Sequence, residues 1–264
     1  MKRTNLAQLR SYKGQQKFTC VTAYDATFAH WASESEVQMV LVGDSLGMVL
    51  QGHDSTVPVT VDDMAYHTRS VAKGNQNCLI MSDLPFMQAA TVERALTGAQ
   101  ALMQAGAEVI KIEGDERLVP VVQALNAAGV PVCVHLGLTP QFVHRFGGYR
   151  VQGRDETSRA ATLAAAQAMT EAGADMLLLE CVPSELARAV THSTPLPVIG
   201  IGAGPDTDAQ VLVMHDLLGL NPHKLARFVK VFAAPGDTPA DSFSRFHQAV
   251  CNHEFPAPEH SFDA

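Results

Sequence analysis

Charge and long apolar runs are both scarce in this chain. Asp, Glu, Lys and Arg make up 17% of the 264 residues, and the 27 acids exceed the 19 Lys and Arg to give a formal net charge of -8. No cluster of basic residues offsets this charge, which counts against nucleic acids and anionic membranes as partners. No apolar run approaches the length of a membrane span. We therefore expect a small-molecule ligand, no nucleic acid and no membrane.

Paired cysteines are also missing. The five cysteines are scattered singly, and most lie in apolar runs: Cys20, Cys78, Cys133, Cys181 and Cys251. This spacing argues against a disulfide framework or a zinc site and is typical of reduced thiols in a cytoplasmic protein. The first ten residues carry charge with no apolar core after them, so we expect neither a signal peptide nor an anchor.

Apolar runs that alternate with helical patterns make up most of the chain. Hydrophobic residues account for 47% of it, enough for a large core. The alternation predicts strands at residues 18–25, 39–42, 78–85, 108–114, 131–137, 175–180, 197–204 and 210–216, the last of which could also begin a helix. With no linker between the units, we predict a single (β/α)8 TIM barrel over residues 1–264, and a doubly wound open sheet is the alternative.

The remaining segments are predicted from capping residues and periodicity. Thr60 and Asp63 are typical of a helix start, and Thr91 is predicted to cap a helix that ends at Gly106. A short helix is expected before the first strand, a long loop at residues 138–156, and a helix capped by Ser184. Residues 224–249 are predicted to form two helices that close the barrel. The tail after Cys251 is expected to be a lid, an interface arm or disordered.

Polar residues collect where the predicted strands end: Asp25, Asp44, Ser45, Asp83, Lys111, Glu113, His135 and Glu180. One acid at such a position often only caps the next helix. In a barrel, however, the carboxyl ends of all strands converge on one mouth, so we expect these side chains to share a site. Burying so many carboxylates beside one lysine is costly unless a cation compensates.

The types of these residues favour a hard divalent cation. Carboxylates with few histidines and no thiolate pair point to magnesium first and manganese second. Lys111 and Glu113 lie two apart on one predicted strand and so face the same side. Lys111 would then neutralise a substrate anion while Glu113 holds the metal, directly or through water. The alternative is a buried ion pair that only plugs the barrel.

Such a site suits a 2-oxo acid, whose carboxylate and ketone oxygens can chelate a cation together. Removing the proton beside the ketone gives an enolate, and the metal takes up the developing charge. Glu180 ends an apolar strand and is one candidate for the base, but Asp25 or a histidine would serve equally. His135 is predicted to be either a donor facing the ligand or a core histidine.

The motifs around these residues resemble those of a known family. They are VGDSLGM at 42–48, QGHDST at 51–56, SDLPF at 82–86, VIKIEG at 109–114, HLGLTPQ at 135–141, FGGY at 146–149, VQG at 151–153, LECVP at 179–183 and IGIGAG at 199–204. In this order they are similar to the ketopantoate hydroxymethyltransferases. The segment around residues 221–224 is shorter than in that family.

The resemblance implies a magnesium-dependent (β/α)8 barrel of the phosphoenolpyruvate/pyruvate-binding type, assembled as a decamer in bacteria. It also implies transfer of a hydroxymethyl unit from 5,10-methylenetetrahydrofolate to 3-methyl-2-oxobutanoate through a magnesium-stabilised enolate. The product would be 2-dehydropantoate (ketopantoate) for pantothenate and coenzyme A biosynthesis.

The family's site residues carry over to matching positions of this chain. The resemblance implies that Asp44, Asp83 and Glu113 bind the metal, and that Asp44, Ser45, Asp83 and Lys111 hold the 2-oxo acid. Glu180 would be the proton acceptor, and His135 would lie in the substrate pocket. It assigns no residues to the folate.

Two other functions remain open on the sequence. A magnesium-dependent carbon-carbon lyase or mutase of the isocitrate lyase type would share the barrel and the 2-oxo acid. Such enzymes place a catalytic cysteine in a lysine-rich loop, and the loop at residues 138–156 has no cysteine. A non-catalytic barrel that senses a 2-oxo acid would be expected to have lost an acid or the lysine, and no matched position is missing.

Overall fold

Eight short parallel strands close into a barrel in the computed structural model, which describes residues 3–263. Each strand pairs with the next along the chain, and the eighth returns to pair with the first. The strands are β1 Phe18–Thr22, β2 Met39–Val42, β3 Leu79–Asp83, β4 Val109–Glu113, β5 Val132–Gly137, β6 Met176–Glu180, β7 Val198–Ile201 and β8 Ala209–Leu212. The prediction of a (β/α)8 barrel is confirmed.

Helices surround this barrel, and most of them lie against its outer face. They are α1 Leu6–Tyr12, α2 Ala26–Glu34, α3 Leu46–Val49, α4 Val61–Gly74, α5 Val92–Ala105, α6 Val119–Ala127, α7 Val143–Phe146, α8 Glu156–Glu171, α9 Ser184–Ser193, α10 Met214–Leu217 and α11 Pro239–Cys251. Residues 202–208, all within the described part of the chain, join β7 to β8 without a helix. No helix within residues 3–263 combines the length and apolar character needed to cross a bilayer.

The helix starts follow from local capping. Thr60 and Asp63 exchange hydrogen bonds at the start of α4 as a capping box, and Thr91 accepts from the Arg94 N–H at the start of α5. Both starts were predicted from the sequence. Ser184 is the first residue of α9 and makes no capping hydrogen bond, so its prediction as the cap was wrong; Pro183 precedes the helix.

The barrel interior changes from apolar to polar along the strands. Side chains alternate between the two faces of each strand, and the inward-facing set near the amino ends is apolar, with Phe18, Met39 and Leu79 among its members. Leu9 of α1 packs against this set. Nearer the carboxyl ends, the inward positions carry Asp83, Lys111 and other polar groups, all buried. The apolar layers therefore form a floor beneath the polar ones.

The prediction of two helices over residues 224–249 was wrong for the first of them. Residues 218–238 contain no helix, and only α11 forms in the second half of the segment. Phe228 and Phe232 are spaced like neighbours on a helix face, but Phe228 lines the cavity at the carboxyl ends of the strands. Phe232 packs against Phe246 and Phe255 instead. Two separate contacts produced the apparent helical period.

Two loop predictions also need correction. The segment 138–156 is mostly irregular, as predicted, but it contains the short helix α7. Of the three alternatives for the tail, disorder does not hold for residues 252–263: the carbonyl of Phe262 accepts a hydrogen bond of 2.9 Å from the N–H of Ser184. The Arg227 guanidinium also lies 5.6 Å from the centre of the Phe262 ring. The tail thus reaches the start of α9, beside the carboxyl end of β6.

Candidate active site

A cavity of about 160 Å³ opens at the carboxyl ends of the strands. Its lining includes seven of the eight strand-end residues predicted from the sequence: Asp44, Ser45, Asp83, Lys111, Glu113, His135 and Glu180. A larger cavity of about 680 Å³ lies at the amino-terminal end of the strands, where Lys13 and Asp208 border it, and none of these seven residues lines it. The smaller cavity is therefore the candidate active site.

Asp25 is the strand-end residue that does not reach the cavity. Its carboxylate is exposed and accepts a hydrogen bond of 2.9 Å from the N–H of Phe28, at the start of α2. Asp25 is therefore a helix cap, which removes it from the candidates for the base.

Lys111 lies at the centre of the polar layer. Strand pairing places Asp83 next to Lys111, and the Nζ atom of Lys111 is 3.1 Å from Asp83 Oδ1 and 3.2 Å from Glu113 Oε1. The contact with Asp83 is an ion pair only, since Asp83 Oδ1 makes no well-formed hydrogen bond within residues 3–263. The Nζ atom of Lys111 also lies 3.2 Å from Nδ1 of His135. One buried ammonium thus joins three strands.

The Lys111–Glu113 pair is charged at neutral pH. Burial opposes the charge on Lys111, but Asp83 and Glu113 outweigh it, and the pKa of the ammonium is raised. Burial likewise opposes the charge on Glu113, but Lys111 and His135 outweigh it and lower the pKa of that carboxyl to about 2. The two directions agree, because each partner favours the charged form of the other.

Asp44, Asp83 and Glu113 form a compact carboxylate triad. One oxygen from each lies within 4.8 Å of the others, and all three residues are buried. The N–H of Asp44 donates to Asp83 Oδ2 across 3.1 Å, which fixes the two strand ends together. Burial, followed by repulsion from Asp83 and Glu113, holds the pKa of Asp44 well above its usual range. Burial is also the main reason that the pKa of Asp83 is raised, although Lys111 opposes it.

The donor set of this triad fits a hard divalent cation. Three buried carboxylates face a single buried lysine. Burial and repulsion between the acids therefore outweigh the attraction of Lys111 in setting the pKa of Asp44. Carboxylate oxygens at this spacing are the ligands that magnesium and manganese prefer. A cation between the three acids would offset their repulsion.

His135 links this cluster to Glu180. Its Nδ1 atom lies 3.3 Å from Glu113 Oε1, and its Nε2 atom lies 3.3 Å from Glu180 Oε2. Burial and Lys111 oppose protonation of the ring, but the two glutamates outweigh them and raise the pKa of His135 to about 9. His135 is buried and also lines the cavity. His135 is therefore both a core histidine and a residue that faces the ligand cavity, the two alternatives that the sequence left open.

The backbone beside Glu180 depends on Gly137. Strand pairing sets Gly137 opposite Glu180, and Gly137 has a φ of 89°. A Cβ atom added there would lie 2.5 Å from the carbonyl oxygen of Glu180. Because that oxygen belongs to the main chain, it can move only if the end of β6 moves.

We expect Gly137→Ala to displace Glu180 and to lower turnover as well as stability. Gly129→Ala is the matched control, because Gly129 also has a positive φ, 79°, but has nothing within 4 Å of an added Cβ. Both variants introduce backbone strain. Urea unfolding should show a larger loss for Gly137→Ala, and only that variant should lose turnover. Equal stability and activity in the two variants would contradict the close contact.

Two further polar residues touch the site, and sequence reasoning did not single them out. The hydroxyl of Tyr24 lies 3.0 Å from Ser45 Oγ, and burial raises the pKa of Tyr24, so the hydroxyl stays protonated. Gln141 is the other, and it hydrogen-bonds to Asp44. Gln141 lies inside the HLGLTPQ motif, four residues after β5, and Tyr24 lies two residues after β1. The motif was the signal that could have pointed to Gln141, and position just after a strand was the signal for Tyr24.

Most of the remaining lining of the cavity is apolar, apart from Thr22, Thr56, Tyr149 and Asp216. The apolar part is formed by Leu41, Met48, Pro140, Leu178, Ile201, Val211, Val213 and Phe228. Tyr149, half-exposed in the loop after α7, donates from its hydroxyl to the Sδ atom of Met48 across 3.4 Å. One side of the cavity thus suits a small aliphatic group, while the other carries the charges.

We expect Lys111→Met to destabilise the protein by about 3–5 kcal/mol at neutral pH, because it leaves buried carboxylates without a cation. Wild-type Glu113 has a pKa depressed from 4.5 to about 2, so its contribution to stability is complete above pH 4.5 and is lost as the pH falls toward 2. The difference between variant and wild type should therefore shrink below pH 4.5.

Denaturant unfolding at pH 7 and pH 4 measures this difference. Arg117→Met is the control, since Arg117 pairs with Asp115 at the surface and should change stability little at either pH. A Lys111→Met variant as stable as wild type at pH 7 would rule out the interpretation of Lys111 as the compensating charge.

The comparisons with known proteins identify the family. The family model described as ketopantoate hydroxymethyltransferase matches residues 3–258, which is most of the chain. The chain belongs to the ketopantoate hydroxymethyltransferase family. Among similar members, the 3-methyl-2-oxobutanoate hydroxymethyltransferase of Marinobacter nauticus is 54% identical over 257 residues, covering 97% of each chain. That of Stutzerimonas stutzeri is 55% identical over 251 residues, covering 94% of each.

Two solved structures that are similar to this member of the ketopantoate hydroxymethyltransferase family are more distant in sequence than these relatives. A phosphonopyruvate hydrolase is 16% identical, with a TM-score of 0.61 over 80% of each chain. A 2,3-dimethylmalate lyase of the PEP mutase/isocitrate lyase superfamily is also 16% identical, with a TM-score of 0.60 over 83% of this chain and 84% of the lyase. At this identity the likeness concerns the fold alone. The lyase alternative therefore fits less well than the hydroxymethyltransferase function.

Proposed function

We propose that this protein transfers a hydroxymethyl unit from 5,10-methylenetetrahydrofolate to 3-methyl-2-oxobutanoate. With one water consumed, the products are 2-dehydropantoate, an intermediate of pantothenate and coenzyme A biosynthesis, and tetrahydrofolate. One observation carries this proposal: a buried carboxylate triad and Lys111 lie in the same cavity as Glu180, opposite an apolar wall. That arrangement can hold a small branched 2-oxo acid and remove a proton from it.

Asp44, Asp83 and Glu113 would hold magnesium. When bound, the cation supplies a Lewis acid that takes up negative charge on the 2-oxo oxygen of the substrate. The fit of the triad to a hard cation supports this assignment, as does the matching of the same positions to the family's motifs. Manganese has the same preference for oxygen ligands and would be the second choice.

The substrate would be oriented by charge on one side and by apolar contact on the other. The ammonium of Lys111 attracts the carboxylate of 3-methyl-2-oxobutanoate, and the hydroxyl of Ser45, held by Tyr24, donates to the same end of the molecule. Asp44 and Asp83 border the 2-oxo group. The isopropyl group then lies against Leu178, Ile201 and the other apolar side chains. This orientation brings C3 toward Glu180.

Glu180 would take the proton from C3. Its side chain is 15% exposed, in contrast to the fully buried acids of the triad, and Nε2 of His135 lies 3.3 Å from its Oε2 atom. The raised pKa of His135 keeps its ring protonated, so its positive charge can hold the Glu180 carboxylate in place for the transfer. Loss of the proton leaves an electron pair at C3, which forms the new bond to the one-carbon unit.

The folate would remain largely outside the cavity. A volume of about 160 Å³ accommodates a five-carbon acid but not a pterin with its side chain. Only the one-carbon unit would enter, past the mouth that Tyr149 borders. Because the cavity is small, the donor would bind after or beside the 2-oxo acid rather than in its place.

The assembly and location of the protein are proposed from the family resemblance. We infer a homo-oligomer, a decamer as in bacterial members, located in the cytoplasm and without nucleic-acid or membrane partners. The formal net charge of -8 supports the last part. Sedimentation of the purified protein tests the assembly state.

Product formation tests the proposed function directly. Pure protein is incubated with 3-methyl-2-oxobutanoate, methylenetetrahydrofolate and Mg²⁺, and 2-dehydropantoate is followed by NMR. We expect product only when all three are present, loss of product with a chelator, and recovery when Mg²⁺ or Mn²⁺ is restored. Binding of the 2-oxo acid with no product under any condition would favour a non-catalytic barrel. Product formation that a chelator leaves unchanged would refute the metal assignment.

A further inference from the structure

Gln141 is a buried residue whose side-chain amide donates to one acid of the carboxylate triad and whose backbone N–H donates to a second. Its Nε2 atom donates to Asp44 Oδ2 across 2.8 Å and to the carbonyl of Leu84 across 2.9 Å. Its backbone N–H donates to Glu113 Oε2 across 3.1 Å. The residue lies just after β5, whereas its partners follow β2 and β3 or end β4. Gln141 therefore connects the ends of four strands.

These bonds fix the orientation of the amide. A primary amide has two N–H donors, and here both have an acceptor, the carboxylate of Asp44 and the carbonyl of Leu84. A flipped amide would set its own oxygen against both of these acceptors. Leu84 directly follows Asp83, so the bond to its carbonyl also ties Gln141 to the third acid's strand. The side chain thus has one favourable arrangement.

The bonds also divide the oxygens of the acids. Gln141 occupies Oδ2 of Asp44 and Oε2 of Glu113, and the N–H of Asp44 occupies Oδ2 of Asp83. Each acid is held through one of its two oxygens. The second oxygens, which these three bonds do not use, are Oδ1 of Asp44, Oδ1 of Asp83 and Oε1 of Glu113. Lys111 contacts two of these three. A carboxylate held in this way cannot rotate without breaking a buried hydrogen bond.

We propose that Gln141 is a positioning residue that presets Asp44 and Glu113 for a divalent cation. The inference rests on the proposed function only in taking the carboxylate triad as the metal site. Residues that orient metal ligands in this way typically contribute 10- to 100-fold to metal affinity. Gln141 need not touch the cation or the substrate to have this effect.

Binding of Mn²⁺ to the purified protein, measured by calorimetry and by the EPR signal of the free ion, tests this proposal. We compare wild type with Gln141→Met, which keeps the length of the side chain and the backbone N–H but removes both amide donors. Gln167→Met is the control, because Gln167 also donates from Nε2 to a carboxylate, that of Glu171, but on the exposed face of α8. We expect Gln141→Met to bind Mn²⁺ 10- to 100-fold more weakly than wild type. The control should bind Mn²⁺ with the wild-type affinity.

The possible results separate this inference from the metal assignment. Wild type that binds Mn²⁺ and a Gln141→Met variant that binds it equally well would overturn the role of Gln141. Wild type that binds no Mn²⁺ would instead overturn the metal site itself. Circular dichroism establishes that the variants are folded. Should Gln141→Met not fold, Gln141→Asn keeps the amide but shortens its reach by one methylene, and we expect the same direction of change in Mn²⁺ affinity.

Discussion

Glu180→Gln is expected to slow proton removal from C3 of 3-methyl-2-oxobutanoate by about 10²–10⁴-fold, the usual contribution of a positioned general base. The amide has the same size and can still contact Nε2 of His135, 3.3 Å from the present carboxylate. It cannot take up a proton at neutral pH. Binding of the 2-oxo acid and of the cation should therefore change little. Exchange of the C3 proton for deuterium, followed by NMR, measures the effect.

Glu185→Gln is the control for this prediction. Glu185 is exposed on α9, five residues further along, and its nearest charged partner is Arg188 at 4.0 Å. Its replacement should leave exchange unchanged. An unchanged exchange rate in Glu180→Gln would assign the base elsewhere. Asp216, which also lines the cavity, would then be the candidate, since Asp25 is a helix cap and the raised pKa of His135 keeps its ring protonated.

Asp83→Ala is expected to abolish metal-dependent activity while the fold stays intact. The change removes one of the three acids and the acceptor for the N–H of Asp44. Lys111 keeps its contact with Glu113, so no buried charge is left alone. The Lewis acid is worth several kcal/mol, and a loss of about 4 kcal/mol corresponds to roughly 10³-fold in rate. Asp44→Ala should have the same effect.

The rate of product formation over a range of Mg²⁺ concentrations, with thermal unfolding of the same samples, measures this second effect. Asp54→Ala is the control, because Asp54 is an exposed acid in the loop after α3. It should keep both activity and metal affinity. Full activity in Asp83→Ala would remove the metal assignment, whereas an unfolded Asp83→Ala would show that this acid is needed for the structure.

The barrel was predictable because its pattern is local. Each strand is a short and largely apolar run, and each run is followed by a helix or a turn that its own local residues indicate. The convergence of Asp83, Lys111 and Glu113 follows from the fold itself, since parallel strands deliver their carboxyl ends to one rim. Strand pairing then sets Asp83 beside Lys111 and Glu113 beside His135. The alternation of apolar runs and helices therefore predicts both the barrel and the polar layer at the carboxyl ends of its strands.

The parts that the sequence did not predict depend on contacts between distant segments. Gln141 and Asp44 are 97 residues apart, and nothing in the spacing of either indicates their hydrogen bond. Asp25 follows β1 just as Asp44 follows β2, but its carboxylate accepts from the N–H of Phe28 rather than facing the cavity. Whether such an acid caps a helix or lines the site depends on the direction of its side chain, and the periodicity of the sequence does not indicate that direction.

The error at residues 224–249 has a similar cause. Phe228 and Phe232 satisfy a helical spacing, but each is buried by a different partner, the cavity wall in one case and the rings of Phe246 and Phe255 in the other. Helical periodicity indicates burial on one side of the chain, and an irregular segment can bury side chains at the same interval.

Exchange of the C3 proton of 3-methyl-2-oxobutanoate in heavy water tests the central claim most directly. The pure protein is incubated with the 2-oxo acid and Mg²⁺, with and without tetrahydrofolate and with a chelator, and the methine signal is followed by NMR. The proposed site predicts loss of that signal in the presence of Mg²⁺ and retention of the signal with the chelator. No exchange under any of these conditions would contradict proton removal at C3 and favour the lyase or binding-protein functions.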